Sequence, residues 1–326
     1  MNQESHTTLQ NAAIAETIAI VGVGLLGASL GLAVKKAGLC GRVIGIGRAD
    51  SPSLEQAKQI GAIDEGFVDP AAGAATAQIV VLAANVGQFP AIMDQLRPAL
   101  APGALVTDVG STKMQVMRWA ARHLPNTCDF IGSHPMAGSE KRGPLAARAD
   151  LYQDALCLLC APAVRGRGSA TPSRISAAMQ KVEALWKGIG MRTLQIDARG
   201  HDSWVAAISH LPHAVAVATV LAAARTPQAF PAIAGGFMDT TRVAGGDPAM
   251  WADIFLTNRG PARREITEMI RNLKKLQAAI SGNDRPRVLD ILQQARTLRA
   301  DIAASRAVPT TRPSPPRETP DGTGHL

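Results

Sequence analysis

Three glycines near the amino terminus constrain the fold of this 326-residue chain most strongly. Gly22, Gly24 and Gly27 have the spacing G-x-G-x-x-G, and they stand between an apolar run and a segment with helical spacing that reaches residue 37. A glycine-rich turn between a strand and a helix lets the backbone approach a pyrophosphate, and the amino terminus of the helix attracts that group. The pattern predicts a dinucleotide-binding turn in which these glycines, Leu25 and Leu26 contact the cofactor.

Apolar strands alternate with helical segments from residue 16 to residue 197. Strands are predicted at residues 18–22, 42–47, 78–84, 104–108, 128–131, 156–161 and 192–196, and helices at residues 24–37, 53–60, 89–100, 114–123 and 173–189. The run 78–84 is apolar throughout, which is typical of a strand buried on both faces of a parallel sheet. We therefore expect an α/β domain over residues 16–197, built on a doubly wound, Rossmann-like parallel sheet.

The pattern becomes helical after residue 197. Helices are predicted at residues 201–225, 227–237, 248–256, 261–280 and 285–305. Several are long and rich in alanine, so we expect an all-helical domain over residues 198–305 that also forms a homodimer. Residues 1–15 and 306–326 lack a hydrophobic pattern, which predicts a flexible lead and a disordered tail.

The composition excludes several classes of protein. Hydrophobic residues make up 46% and charged residues 18%, as in soluble globular proteins. We expect no apolar run that reaches the length of a membrane span and no signal peptide, and therefore a cytoplasmic protein. The net charge of +8 allows a nucleic-acid partner, but only 3% of residues are aromatic and could stack on bases. Solvated helix faces that attract an anionic substrate explain the charge better.

Cysteines and histidines give no metal-binding pattern. Cys157 and Cys160 form a C-x-x-C, but they lie in a predicted apolar strand without a second such pair, so we interpret them as small core residues. His210 and His213 are three residues apart and lack a neighbouring carboxylate. We predict no metal site.

The end of the second strand indicates the type of dinucleotide. NAD-binding domains usually place an acidic residue there, which binds the ribose hydroxyls. This chain has Gly47 and Arg48 instead, and a guanidinium can pair with the 2′-phosphate of NADP. We therefore expect NADP to be favoured over NAD. Asp50 lies close by in the sequence, so NAD stays an alternative cofactor.

Four further stretches carry groups suited to chemistry. They are D-V-G-S-T-K at residues 108–113, G-S-H-P-M-A-G-S-E at 132–140, S-H-L-P-H at 209–213 and D-T-T-R-V-A-G-G-D-P-A-M-W at 239–251. The first follows a strand at the sheet edge where doubly wound folds bind ligands. Each stretch alone also has a structural explanation, such as a helix cap at Asp108 or Ser111 or a surface ion pair at Arg242.

Together and in this order, these motifs resemble the prephenate/arogenate (cyclohexadienyl) dehydrogenase family of tyrosine biosynthesis, over about residues 16–300. The resemblance implies a Rossmann domain followed by a helical dimerisation domain. It also implies an NAD(P)-dependent oxidative decarboxylation, of prephenate to 4-hydroxyphenylpyruvate or of arogenate to tyrosine. Hydride leaves C4 of the substrate ring, CO2 leaves C1, and the ring becomes aromatic.

The resemblance assigns roles to residues of this chain. His134 accepts the proton of the ring hydroxyl, which a neutral imidazole with a pKa near ~6.5 can do. Ser111 orients His134 and the nicotinamide. Arg242 binds a substrate carboxylate through two parallel hydrogen bonds.

Further residues are expected around the same substrate pocket. The resemblance places His213, Ser209 and Trp251 there, from the helical domain. Ser139 and Glu140 follow the catalytic loop. Glu140 could act as a lid residue, could bind the amino group of arogenate, or could be a carboxylate at a helix start. The choice between prephenate and arogenate therefore stays open.

Two other functions compete with this one. Another Rossmann-plus-helical oxidoreductase, of the β-hydroxyacid dehydrogenase or imino-acid reductase type, would lack H-P-M-A-G-S-E and S-H-L-P-H. A nucleotide-sensing binding protein without catalysis would be expected to lose His134 or Arg242, and both are present.

Overall fold

One eight-stranded sheet organises the computed structural model, which describes residues 13–139, 141–162 and 171–307. The strands are β1 (Ala15–Val21), β2 (Cys40–Ile46), β3 (Glu65–Phe67), β4 (Ile79–Leu82), β5 (Leu105–Asp108), β6 (Asp129–Pro135), β7 (Leu156–Cys160) and β8 (Arg192–Gln195). Their order across the sheet is β3-β2-β1-β4-β5-β6-β7-β8. Neighbouring strands are parallel except β6 and β7, which are antiparallel.

Helices cover both faces of this sheet. They are α1 (Leu25–Lys36), α2 (Ser53–Gln59), α3 (Pro70–Ala74), α4 (Phe89–Leu96), α5 (Met114–His123) and α6 (Pro172–Gly188). Side chains of β1 alternate between two hydrophobic cores: Ile18 and Ile20 pack with α1 and α6, whereas Ala19 and Val21 pack with α4 and α5. The predicted doubly wound α/β architecture is confirmed.

Two short elements escaped prediction. Strand β3 has three residues, two of them exposed, and lies at the edge of the sheet. Helix α3 has five residues and begins after Asp69, whose carboxylate accepts a hydrogen bond from the amide of Ala71. Neither is long enough to show a hydrophobic period.

Every element described after residue 197 is helical. Helix α7 (Ala198–Val205) continues through a π-helical turn (Ala206–His210) into α8 (Leu211–Ala223), and α9 (Gly235–Thr241), α10 (Pro248–Thr257), α11 (Arg259–Ser281) and α12 (Arg285–Ala307) follow. The predicted helix 227–237 was wrong. A 3-10 helix spans Pro227–Ala232 and contains Pro231, and α9 begins separately at Gly235. Proline lacks the amide donor that a continuous α-helix would need there.

The chain forms two compact units, Met1–Ile266 and Thr267–Leu326. Helices α7–α10 therefore belong to the same unit as the sheet, and the expected domain boundary at residues 197 and 198 stays a prediction. At the amino terminus, Ala15 already belongs to β1, so the flexible lead predicted for residues 1–15 is too long. At the other end, α12 extends to Ala307. Residues 1–12 and 308–326 lie outside the described part of the chain.

One helical stretch is longer and more apolar than the sequence analysis expected. Ala198–Ala223 is long and apolar enough to cross a membrane by length and composition, and 28% of its most apolar window is buried. The expectation that no apolar run reaches this length was wrong, because the alanines and valines of α8 follow α7 without a break. Apolar helices of soluble proteins share this property, and the evidence for a membrane is weak.

Candidate active site

The glycine turn after β1 leaves room for a ligand at a single position. Gly22 has φ of +97°, and a Cβ there would lie 2.7 Å from the backbone of Ala83. A Cβ on Gly27 would lie 2.0 Å from the carbonyl oxygen of Gly22. Around Gly24, by contrast, a Cβ would meet nothing within 4 Å. Gly22 and Gly27 therefore close the turn, while Gly24 offers open backbone at the start of α1. This is the cradle that a dinucleotide pyrophosphate requires.

A cleft of about 410 Å³ opens beside this turn. It is lined by Gly24, Leu25, Leu26, Ala83, Ala84, Asn85, Val86, Val109, Gly110, Ser111, Ala137, Gly138, Ser139, Lys141, Arg142, Gly143, Gly246, Asp247, Met250 and Ile254. Four of the contributing segments follow β1, β4, β5 and β6, so the cleft lies at the carboxyl edge of the sheet, where its connections diverge. Ligands of doubly wound folds bind at this place.

His134 lies at the end of β6, directly before the segment that lines the cleft. It is 8% exposed, and its Nδ1 is 2.9 Å from Nε2 of His201. Nδ1 of His201 is in turn 2.8 Å from Oδ1 of Asp202. The two residues on α7 are 0% and 2% exposed, respectively. The three side chains form a buried histidine–histidine–aspartate chain, which we call the histidine chain.

Backbone groups fix the far end of the histidine chain. The amide of Lys113 donates to Oδ1 of Asp202 at 2.7 Å, and the amide of Met114 donates to Oδ2 at 3.0 Å. Asn258 donates from Nδ2 to the carbonyl oxygen of Asp202 at 2.7 Å. Both carboxylate oxygens are therefore held at the start of α5, and these bonds attach α7 to the amino-terminal end of α5.

The surroundings favour neutral rings in the histidine chain. Burial lowers the pKa of His134 well below its usual range, and His201, Lys113 and His210 lower it further. Burial also lowers the pKa of His201, although Asp202 partly opposes this effect. His134 is therefore a free base at neutral pH, which is the state a proton acceptor needs.

A buried ion pair shapes the D-V-G-S-T-K loop. Nζ of Lys113 lies 2.7 Å from Oδ2 of Asp108, and it also donates to the carbonyl oxygens of Gly110 and Thr112. Oδ1 of Asp108 accepts the amide of Ser133 at 3.0 Å. The ends of β5 and β6 are thus joined one residue before His134.

This loop brings Ser111 to the cleft. Ser111 is half-buried among the residues that line the cleft. Nδ1 of His134 is held by His201, so the expected role of Ser111 in orienting His134 stays a prediction.

Two predicted substrate residues from the helical region stack on each other. The rings of His213 and Trp251 have centroids 3.5 Å apart and an interplanar angle of 11°. Both approach Gly246, which lines the cleft, since a Cβ on this glycine would lie 2.5 Å from Nε1 of Trp251. Ser209 is half-buried in the π-helical turn.

The other predicted residues are more exposed. Arg242 begins a short 3-10 helix and has an exposed side chain. Ser139 lines the cleft, and its Oγ accepts the amide of Lys141. Glu140 lies outside the described residues. Arg48 is exposed just after β2, with Nε 3.3 Å from Oδ1 of Asp50.

Models of two known domains match consecutive parts of this chain. "Prephenate dehydrogenase, nucleotide-binding domain" matches residues 30–194, and "Prephenate dehydrogenase, dimerization domain" matches residues 197–294. The chain belongs to the prephenate dehydrogenase family.

Relatives of this family support the assignment. The chain is 32% identical over 289 residues to a prephenate dehydrogenase of Bacillus subtilis, covering 87% of this chain and 75% of the relative. It is 31% identical over 290 residues to a cyclohexadienyl dehydrogenase of Zymomonas mobilis, covering 86% of this chain and 94% of the relative.

Solved structures of the family have the same fold. A prephenate dehydrogenase of A. aeolicus, in complex with hydroxyphenyl propionate and NAD+, has a TM-score of 0.78 and 29% identity, covering 88% of this chain and 98% of that one. An arogenate dehydrogenase of Synechocystis has a TM-score of 0.70 and 29% identity, covering 88% and 99%. The match to both parts of the family separates this chain from the competing Rossmann-plus-helical oxidoreductases.

Sequence reasoning missed three residues of this family member's site. His201 and Asp202 were assigned to the start of a helix without a role, and Lys113 was noticed only as part of a motif. The available signal was a histidine followed directly by an aspartate, near the start of a predicted helix. It could not show that Nε2 of His201 meets Nδ1 of a histidine 67 positions earlier.

Proposed function

We propose that this protein catalyses the NAD(P)-dependent oxidative decarboxylation of prephenate, of arogenate, or of both. The observation that carries the proposal is the position of His134 at the end of β6, three residues before Ala137 of the cleft lining, in a chain of the prephenate dehydrogenase family. A buried neutral imidazole next to a dinucleotide site is the arrangement that removal of a hydroxyl proton together with a hydride requires.

The proposed reaction transfers a hydride and a proton from the substrate. The glycine turn would hold a nicotinamide dinucleotide, which would supply the hydride acceptor for C4 of the substrate ring. His134 accepts the proton of the 4-hydroxyl as C4 gains carbonyl character. Loss of CO2 from C1 leaves its electron pair in the ring, and the proton returns to the oxygen as the ring becomes aromatic. Thus no net proton is consumed, and His134 is regenerated.

Binding roles follow the site geometry and the family resemblance. We assign binding of the dinucleotide to Gly22, Gly24, Leu25, Leu26, Gly27, Arg48 and Ser111. We assign binding of the substrate to Arg242, His213, Ser209, Trp251, Ser139 and Glu140. The stacked rings of His213 and Trp251 support a flat pocket wall near Gly246. The guanidinium of Arg242 suits a carboxylate, since its donors match both oxygens.

NADP is the cofactor that we expect to be preferred. Arg48 stands just after β2, and its contact with Asp50 is exposed on both sides, at 72% and 74%. An exposed ion pair of this kind is weak, so the guanidinium can turn to a 2′-phosphate at little cost. A catalytic efficiency at least tenfold higher with NAD than with NADP would contradict this preference.

We also propose that the protein is a cytoplasmic homodimer. Residues 197–294 match a dimerization domain, and helices α8–α10 expose large apolar side chains such as Leu221 and Leu256, at 66% and 72%. Exposed apolar surface of this kind marks interaction sites. Light scattering of the purified protein tests the assembly.

One set of assays tests the function. NAD(P)H formation is followed with prephenate and with arogenate, each with NAD and with NADP. We expect turnover in at least one of the four combinations. Tight dinucleotide binding without turnover in any of them would favour a nucleotide-sensing protein without catalysis.

A further inference from the structure

The hydrogen bonds of the histidine chain determine which ring nitrogens carry a proton. Each neutral imidazole carries one N–H and one bare nitrogen, so a hydrogen bond at one nitrogen fixes the role of the other. Asp202 stands at the closed end, and both of its oxygens accept backbone amides. An oxygen that accepts an N–H from Lys113 also accepts the Nδ1–H of His201 most favourably, because it then acts only as an acceptor.

The proton on Nδ1 of His201 determines the positions of the protons on His134. With its proton on Nδ1, His201 presents a bare Nε2, 2.9 Å from Nδ1 of His134. That contact requires a proton on Nδ1 of His134. The second nitrogen of His134, Nε2, is then bare. The opposite order would need a proton on Asp202, between two backbone amides that already donate to its oxygens.

We infer that His201 and Asp202 are positioning residues that hold His134 in the Nδ1–H form, so that Nε2 is the atom that accepts the hydroxyl proton. The identity of that hydroxyl rests on the proposed function, whereas the position of the protons does not. Neither His201 nor Asp202 is among the residues that line the cleft, so both would act through His134.

The groups around His134 agree with this assignment. Lys113 faces it from the loop after β5, but its ammonium is paired with Asp108. His210 faces it from the π-helical turn, and burial lowers the pKa of His210 to about 4, so it is neutral. Cys157 lies beside it on β7 as a buried thiol whose pKa burial raises. Asp202 is therefore the anion that can stabilise positive charge when Nε2 of His134 gains a proton, through His201.

Two substitutions of His201 separate positioning from packing. His201→Gln places an amide oxygen where Nε2 stood, so it can still accept the Nδ1–H of His134. His201→Leu has a similar volume and no acceptor. We expect kcat of the leucine variant to fall about 10²-fold, the lower end of the usual contribution of general acid–base catalysis. The glutamine variant should recover most of that loss, and KM for the dinucleotide should stay unchanged in both.

NMR of the full chain labelled with 15N-histidine tests the proton positions directly, because bare and protonated ring nitrogens have separate shifts. The control His123→Asn removes a surface histidine that also pairs with an aspartate, Asp94, and it should leave both the His134 signals and kcat unchanged. We expect Nδ1 of His134 to be protonated in the wild type and in His201→Gln, and this preference to be lost in His201→Leu.

Two results would overturn the inference: a proton on Nε2 of His134 in the wild type, or equal losses of kcat in the glutamine and leucine variants. Failure of the proposed function would look different. The wild type would then turn over neither acid, while the NMR experiment would still report where the protons of the histidine chain lie.

Discussion

The glycine turn and the histidine chain are the two sides of the proposed active site, and they are built in different ways. The turn comes from six consecutive residues, and its shape follows from the absence of side chains at Gly22 and Gly27. The histidine chain joins β6 to α7, and its shape follows from hydrogen bonds between residues 67 positions apart. The proposed dinucleotide site therefore offers open backbone at Gly24, whereas the histidine chain consists of buried side chains. Substitutions should therefore damage them in different ways.

The helix starts on the two sides show the same contrast. The N-cap residue of helix α1 is Gly24, which has no side chain to bond the free amides of the first turn. The N-cap residue of helix α7 is Asp197, whose carboxylate accepts the amides of Arg199 and Gly200. Free amides at α1 are available to a phosphate, while those at α7 are already satisfied. Helix α1, at the proposed dinucleotide site, thus lacks the side-chain cap that stabilises the start of α7.

The largest effect is expected from Gly27→Ala. The new Cβ would lie 2.0 Å from the carbonyl oxygen of Gly22, so the turn cannot keep its shape. We expect dinucleotide binding to fall below detection in fluorescence titration, together with a lower unfolding midpoint. Gly24→Ala is the matched control, since a Cβ there meets nothing within 4 Å. It should keep the unfolding midpoint and weaken only dinucleotide binding. Normal dinucleotide affinity in Gly27→Ala would show that the turn is not the binding site.

The next effect concerns the other side of the site. His134→Asn removes the proton acceptor and should lower kcat by about 10²–10⁴-fold, the usual contribution of general acid–base catalysis. The dissociation constant of the dinucleotide should not change, because His134 is not part of the glycine turn. Steady-state kinetics and fluorescence titration on the same preparation check both statements. A variant with near wild-type kcat would remove His134 from the chemistry.

These two sides were also unequally predictable from sequence. The glycine turn, the doubly wound sheet and most element bounds followed from local patterns, because sterics and hydrophobic period act over a few residues. The continuous helix over α7 and α8 was predicted as residues 201–225, but its π-helical turn was not, and the break at Pro231 was missed. His134 was found through its motif. His201, its actual partner, was not, because only the folded chain brings β6 and α7 together.

A third prediction concerns acid stability. Burial lowers the pKa values of His134, His201 and His210 below their unfolded value of about 6.5, so the unfolded chain binds more protons as the pH falls. Stability contributed by these neutral rings is full above that value and is lost as the pH decreases through it toward the folded values. For His210, whose pKa in the folded chain is lowered to about 4, the slope approaches about 1.4 kcal/mol per pH unit in that range.

His210→Asn checks this assignment. In the wild type, Nδ2 of Asn258 lies 3.2 Å from Nδ1 of His210. The asparagine variant keeps a hydrogen-bond acceptor for Nδ2 of Asn258 and removes one titrating group. Denaturation curves between pH 6.5 and 5 should show a slope smaller by about 1.4 kcal/mol per pH unit than in the wild type. Equal slopes in the two proteins would mean that His210 is not held neutral by its surroundings.

The smallest effect is expected at the start of α7. Asp197→Ala removes the carboxylate that accepts the amides of Arg199 and Gly200, and loss of such a cap costs about 1 kcal/mol. Because α7 carries His201 and Asp202, the loss should also loosen the histidine chain and lower kcat slightly, while dinucleotide affinity stays unchanged. Asp197→Asn retains one acceptor oxygen and should recover most of the stability. If the alanine variant instead weakened dinucleotide binding as much as Gly24→Ala, the two helix starts would not be energetically separate, and the contrast between the two sides of the site would fail.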